Sequence, residues 1–276
     1  MFNGGRKLMT HAEKISRFRK LHLGPRILVL ANASDAASAR IFEKAGFSAI
    51  GTSSAGVAFS LGYPDGQRIP QAEMLAAVSR IVRAVSIPVS ADVESGYGDA
   101  VATARALADA GAVGMNLEDF PGQNLQSLVD FSTQIRLIEK VRGASDLVIN
   151  ARTDIYLMGI GDPATRFERT VERANAYRKA GADCVFVPGV GDAETIGKLT
   201  RAIEAPINIL GTAGVPPIYE LERLGIARVS VGSGPMRAAM GLIERIAKEL
   251  FEHGTYAVMT EGAMSYADAN HLFDKS

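Results

Sequence analysis

The sequence predicts an α/β protein, a (β/α)8 TIM barrel, on three observations. Eight short apolar, β-branched runs alternate with stretches of helical periodicity. Several helical stretches end in the same way, on a glycine followed at once by the next apolar run. The length, 276 residues, suits a fold whose single-domain size is roughly 250 residues.

The strand-like runs lie at 26–33, 47–54, 87–95, 112–119, 147–154, 184–190, 206–210 and 227–234. Near-continuous hydrophobicity in several of them fits parallel strands covered by helices on the outside. Helical periodicity marks 37–45, 71–85, 101–110, 166–180 and 236–252. The repeated endings are Lys44-Ala45-Gly46, Asp109-Ala110-Gly111, Lys179-Ala180-Gly181 and Arg223-Leu224-Gly225. A glycine there takes the left-handed conformation that closes a last helical turn. Eight strand–helix units with parallel crossovers point to a closed barrel rather than an open sheet. No linker divides the chain, so residues 1–276 are expected to form one domain. The tail, 254–276, follows the eighth unit, where it would pack on the barrel underside or reach a neighbouring subunit.

Composition narrows the function. The chain is 47% hydrophobic, enough for a large core. Lysine plus arginine, at 30, balances aspartate plus glutamate, at 30. That balance gives no global field to gather nucleic acid or an acidic membrane. No run of about 18 apolar residues suggests a membrane span, and the basic N-terminal stretch has no apolar segment behind it. A soluble cytoplasmic protein is the expectation. The one cysteine, Cys184, excludes an internal disulfide and a multi-cysteine zinc site. The histidines, His11, His22, His253 and His271, all fall in the terminal segments.

In an α/β barrel the reactive groups sit at the C-terminal ends of the strands. The third run ends in Asp92-Val93-Glu94-Ser95-Gly96-Tyr97-Gly98, whose i, i+2 spacing puts Asp92 and Glu94 on one strand face. The fourth ends in Glu118-Asp119, and the fifth carries Asn150, Arg152 and Asp154. After the second come Thr52-Ser53-Ser54-Ala55-Gly56 and then a loop with Asp65. Taken singly, Asp119 and Asp154 read as capping or loop-bonding carboxylates. Ser53 and Ser54 read equally as turn formers, and Arg152 as half of a structural ion pair. Together, Asp92, Glu94 and Glu118 would repel unless protons or a cation compensate. An all-oxygen cluster suits magnesium or manganese over zinc or copper.

Elimination goes further. Lys7, Lys14, Lys20, Lys44, Lys140, Lys179, Lys198, Lys248 and Lys275 all lie outside the strand runs, so no Schiff-base lysine is available. Cys184 opens the sixth strand, at the wrong end for a nucleophile, and reads as a small core residue. What remains suits an anionic substrate with a carboxylate and a carbonyl, whose enolate charge would be held by an ion and loop N–H groups. A phosphate site at Gly211-Thr212-Ala213-Gly214 and Gly232-Ser233-Gly234 is a competing reading, on glycine turns common in barrels.

These residues, in this order, resemble the isocitrate lyase/phosphoenolpyruvate mutase superfamily over nearly the whole chain. The resemblance is carried by 35–40 (DAASAR), 46–50 (GFSAI), 52–56 (TSSAG), 91–98 (ADVESGYG), 116–119 (NLED), 150–154 (NARTD) and 181–183 (GAD). It implies a Mg2+-dependent enzyme, with Mn2+ as a substitute, that breaks or forms C–C or P–C bonds beside an α-oxo acid. By position it implies Asp92 as the principal metal ligand, with Asp65, Glu94 and Glu118 holding the metal's waters. Ser53, Ser54 and Ala55 would cradle the oxo-acid and Arg152 would bind its anionic groups. Helix-swapped homotetramers are usual in the family, which would give the tail a role.

Two departures stand out. Glu94 replaces an aspartate common in the family. The segment after Glu118-Asp119, Phe120-Pro121-Gly122-Gln123-Asn124-Leu125-Gln126-Ser127, lacks the lyases' lysine-to-histidine run with its cysteine acid, and the mutases' loop lysine. The expected function is therefore a Mg-dependent lyase, decarboxylase or hydrolase cutting a C–C bond next to an α-oxo acid. Its proton would come from solvent, Tyr97 or water on Asn124. The alternatives are a P–C enzyme of the mutase or phosphonopyruvate hydrolase type, and a non-catalytic α-oxo acid binder. No nucleic-acid or membrane partner is expected.

Overall fold

The computed structural model describes residues 9–122 and 127–274. Eight parallel strands close into a barrel in sequence order. They are β1 (Leu28–Ala33), β2 (Ile50–Thr52), β3 (Val89–Asp92), β4 (Gly114–Glu118), β5 (Val148–Arg152), β6 (Cys184–Phe186), β7 (Ile207–Leu210) and β8 (Arg228–Ser230). All eight expected runs are strands, each trimmed at one or both ends to the residues of the parallel ladder. Closure comes where β8 meets β1, with Leu28 opposite Arg228.

The helices are α1 (His11–Leu21), α2 (Ala36–Lys44), α3 (Ser54–Ser60), α4 (Gln71–Ala84), α5 (Ala100–Asp109) and α6 (Phe131–Ala144). They continue with α7 (Arg166–Lys179), α8 (Ala193–Ala202), α9 (Ile218–Arg223), α10 (Gly234–His253), α11 (Ala257–Thr260) and α12 (Tyr266–His271). The glycines that the endings single out, Gly46, Gly111, Gly181 and Gly225, have φ between 86° and 113°, as a left-handed cap requires. Aspartates cap the other ends: Asp35, Asp99, Asp130 and Asp192 each accept from a first-turn amide of their helix.

The core lies between strands and helices. Ile50, Met74, Ile81, Leu107, Leu117 and Ile138 pack on one side, and Val185, Ile196, Leu199, Ile209 and Leu221 on the other. Fully burying each such side chain contributes roughly 1.5–3 kcal/mol. The floor is closed by α1, whose N-terminus carries a reciprocal Thr10–Glu13 capping box. Ile15 and Phe18 of α1 pack against Leu28, Leu30, Ala49, Val113 and Val148. Gly114 is required there: a Cβ on it would sit 2.9 Å from the Phe18 ring and 2.9 Å from the Val148 carbonyl.

The C-terminal region behaves differently. None of the 20 residues of α10 is buried, and Ile243 (63%) and Phe251 (92%) are open to solvent. The tail beyond it touches the outside of the barrel, where Arg40 Nε on α2 donates to the Leu272 carbonyl at 2.7 Å. Among the described residues no helix is long and apolar enough to cross a membrane.

His22, just past α1, is 4% exposed and its Nδ1 lies 2.9 Å from the Phe18 carbonyl oxygen. Burial, then the charge of Arg228, lowers its pKa from 6.5 to about 4. On acidification the unfolded chain therefore takes up this proton first. The contribution of His22 to stability is complete above about pH 6.5 and disappears as the pH falls towards 4, a loss of roughly 3 kcal/mol. Urea denaturation at pH 7 and pH 4.5 should show His22→Leu losing that much less stability than the wild type. Equal losses in the two proteins would refute the assignment.

Candidate active site

Asp92, the last residue of β3, is the centre of the mouth. Its Oδ2 accepts from the Ser54 amide at 3.1 Å and the Ser54 hydroxyl at 2.8 Å. Its Oδ1 accepts from Asn116 Nδ2 on β4 at 3.1 Å, and its own amide donates to Thr52 Oγ1 at 2.9 Å. Ser53 and Ser54 are not a simple turn: Ser53 caps α3, its Oγ accepting from the Gly56 amide at 3.1 Å. The Ser53 amide is bonded to the Ala33 carbonyl. Of the three residues 53–55, only Ala55 keeps an amide without a hydrogen-bond partner among the described residues.

Glu94 arrives differently from the strand alternation expected for it. β3 ends at Asp92, and Glu94 takes φ 53° in the left-handed region. Its carboxylate accepts from the Gln67 amide at 3.0 Å. Gln67, φ 56°, donates from Nε2 to Ser95 Oγ at 2.7 Å, and its Oε1 accepts from the Tyr97 amide at 3.0 Å. Tyr97 also has φ 56°. These are the positive-φ non-glycine residues of the described chain, and each costs on the order of 1–3 kcal/mol. Gly96 between them is obligatory, since a Cβ there would fall 2.5 Å from Ala100 Cβ. Three strained residues therefore hold one rim of the mouth in place, and Gln67, which the sequence did not mark, ties them together.

The adjoining rim, over β4 and β5, is ionic. Arg152 on β5 bonds Glu118 Oε2 through Nη1 at 2.9 Å and Asp154 Oδ1 through Nε and Nη2 at 2.8 Å. Its guanidinium lies 5.7 Å from the centre of the Phe186 ring. Asp154 and Asp119 are buried supports: the Asp154 amide donates to Asp119 Oδ1 at 3.0 Å, and Asp119 Oδ2 accepts from Tyr177 and Arg173. Asn124 lies outside the described residues.

Charge crowds this mouth. Burial and then the charge of Asp92 push Glu94 up to about 7. Glu118 stands well above the usual carboxylate range, raised by burial and by Asp154, Asp92 and Glu94 against the pull of Arg152. Asp65, on the exposed rim, is raised by desolvation and then by Asp92. Burial and the carboxylates Glu94, Asp92 and Asp65 raise the Tyr97 phenol, which faces Glu94 and stays protonated. Asp92 thus acts on every other acid of the group.

This donor set fits a hard dication. All its ligating atoms are oxygens, and a bound double positive charge would offset the mutual repulsion of the acids. Among the described residues no group of three acidic, histidine or cysteine side chains could hold an ion directly. That matches an ion held by few protein atoms and several waters, the usual magnesium arrangement. Other candidates fall away. The thiol of Cys184 is fully buried and pushed up to about 12 by burial. The amides of Val231 and Gly232 are occupied by Asn32 Oδ1 at 2.8 and 3.0 Å, so they are not a ready phosphate cradle.

The phosphoenolpyruvate phosphomutase family matches residues 18–251, which include every one of these mouth residues. The chain belongs to this family. It is 30% identical to the 2-methylisocitrate lyase of Bacillus subtilis, over 97% of this chain and 91% of that one. It is 31% identical to the oxaloacetate decarboxylase of Pseudomonas fluorescens, over 84% and 83%. A crystal structure of a Burkholderia cenocepacia J2315 protein, provisionally called a lyase/mutase, superposes with a TM-score of 0.89. It is 37% identical and covers 96% of this chain and 97% of the other. The family fold accounts for the barrel.

Proposed function

We propose that the protein is a Mg2+-dependent lyase that cleaves the C–C bond next to the carbonyl of an α-oxo acid, passing through an enolate-like state. The observation that carries this reading is the set of buried carboxylates raised around Asp92, with Arg152 paired to Glu118 among them, in a mouth without histidine, lysine or accessible cysteine among the described residues. Asp92 would hold the ion directly, with Asp65, Glu94 and Glu118 on its waters, and Mn2+ would substitute. When bound, the ion supplies Lewis-acid stabilisation of the negative charge that develops as the bond breaks.

The chain's own groups do the rest. Arg152 keeps N–H groups beyond those bonded to Glu118 and Asp154, and these bind the substrate carboxylate. The Ala55 amide, flanked by Ser53 and Ser54, is the donor left for the oxo-acid end. Tyr97, protonated and buried beside Glu94, returns a proton to the enolate carbon, a role for which water on Asn124 is the second candidate. The names of two relatives, a 2-methylisocitrate lyase and an oxaloacetate decarboxylase, support C–C rather than P–C cleavage. The absence of a lysine and a cysteine from 120–127 argues against the mutase route and against the cysteine-dependent one. The substrate is a small α-oxo acid or its precursor, and neither nucleic acid nor membrane is a partner. A buried, unbridged cysteine suits a cytoplasmic enzyme.

The same reading extends to assembly. In a closed barrel the eighth helix should bury one face on its own strands, yet no residue of α10 is fully buried. Its apolar face, with residues of the tail, is the surface through which copies pair, and a helix-swapped homotetramer is the assembly we propose.

A panel of oxaloacetate, 2-methylisocitrate and phosphonopyruvate, supplied with Mg2+, should show turnover with release of pyruvate, or of glyoxylate from a cleaved isocitrate analogue. Phosphate from phosphonopyruvate would assign the P–C reading instead, and binding of oxalate without any turnover a non-catalytic one. Asp92→Ala should lower metal-dependent turnover on the order of 10³-fold, the several kcal/mol that such an ion supplies; normal activity in that variant sinks the site. Tyr97→Phe should lower kcat about 10²-fold with Mg2+ affinity unchanged. Light scattering should give a tetramer for the wild type and smaller species for Phe251→Asp with Ile243→Asp; an unchanged mass would remove α10 from the interface.

A further inference from the structure

Below the mouth, the barrel interior holds polar groups that the chemistry above does not use. Arg228 on β8 is 1% exposed, and its Nε and Nη1 have no hydrogen-bond partner among the described residues. A guanidinium only donates hydrogen bonds, and a buried one without acceptors is costly. One acceptor in the same interior is also unused: Oδ1 of Asn150 on β5, a residue with 0% exposure.

The direction of the bonds above Asn150 explains why it lies open. An ionised Asp92 accepts only, so Asn116 must turn its Nδ2 towards it, at 3.1 Å. Asn116 Oδ1 then faces the other way and accepts from Asn150 Nδ2 at 2.8 Å. Asn150 is left with its carbonyl pointing out of the chain of bonds, and whatever comes next has to be a donor. The ladder places Asn116 opposite Asn150, and Asn150 opposite Cys184. The charge of Arg228 is felt at Cys184, at Asp92 and at His22 on the floor. Arg228 opens β8 opposite Leu28 and Asn208, and at 1% exposure its guanidinium is enclosed in the barrel interior above the floor. Ser90, two residues before Asp92 on the same face of β3, carries a fourth such atom, Oγ. A buried water commonly joins two to four such groups.

We propose that Arg228 is a positioning residue for the metal-binding carboxylate: it donates, through one buried water shared with Ser90, to Asn150 Oδ1, and the Asn150–Asn116 amide pair carries that donor to Asp92. This rests on the reading of Asp92 as the metal ligand. Each bond in such a chain polarises the next, so the Asn116–Asp92 contact is strengthened. Asp92 is thereby held with its remaining lone pairs facing the mouth. The arrangement is an outer layer of the metal site, reaching through the barrel from its far half.

Two measurements test it. Mn2+ affinity by EPR, with thermal midpoints, is compared for wild type, Arg228→Met and Arg228→Lys. Arg228→Met should bind Mn2+ about tenfold more weakly, although its thermal midpoint holds or rises as a buried charge is replaced by an apolar chain. Arg228→Lys, which restores a donor cation, should recover most of the affinity. A folded Arg228→Met protein with unchanged affinity overturns the proposal. The second measurement does not depend on the variants folding or on metal. A high-resolution crystal structure of the wild type should show an ordered water within hydrogen-bond distance of Arg228 and Asn150 Oδ1. A dry gap there overturns the relay, whereas failure of the wild type to bind Mn2+ at all overturns the metal reading and leaves the relay to be judged by that water alone.

Discussion

The convergence of like-charged carboxylates on Asp92 is the constraint around which the upper half of the barrel is arranged. Carboxylates a few ångströms apart at low local dielectric do not stay together unless something else compels them. Here three different devices do so. On one side the backbone is forced, with Gln67, Glu94 and Tyr97 in left-handed conformations that a free chain avoids. On the other, one arginine is clamped between two acids. In the centre, Asp92 itself is fixed by donors from both neighbouring strands' ends, Ser54 and Asn116. Each is unfavourable or merely neutral for folding alone, which is the usual signature of structure kept for chemistry.

Much of this could be read from residue order. Strands in a parallel barrel are continuous apolar runs, and helix ends carry their own stop signals, so the eight units emerge from local physics. Asp92, Glu118 and Arg152 fall at strand ends, where the fold dictates that side chains enter the mouth. Glu94 also reaches the group, but not by the alternation that its spacing suggests, because β3 stops at Asp92 and the turn that follows redirects it. Gln67 gave no signal, since an amide side chain in a polar loop looks like any other loop residue. Its importance comes from where the 61–70 loop folds back, and that is a tertiary property. Ser53 illustrates the same limit: a serine that reads as a turn former turns out to cap a seven-residue helix. The wiring of Asn116 and Asn150 likewise becomes visible only when the register aligns them.

The departures from the family pattern also take on a physical meaning. With Cys184 buried at the start of β6, no thiol reaches the described part of the mouth. A phenol raised by burial and by its acidic surroundings keeps its proton through the neutral range.

The helix that floors the barrel has a consequence for how the chain reaches its fold. α1 is made first, but its partners are spread through the sequence: Phe18 lies against Val113 and Val148, and Arg19 pairs with Asp183 at 2.8 Å, 164 residues later. No such surface exists until at least five strands have been synthesised and aligned. The helix must therefore wait, exposing Ile15 and Phe18, while the rest of the cylinder assembles. Contacts of such long sequence separation form slowly, and an apolar helix face left open during synthesis is the kind of surface that chaperones bind. The segment that seals the finished barrel is also its most vulnerable part during birth.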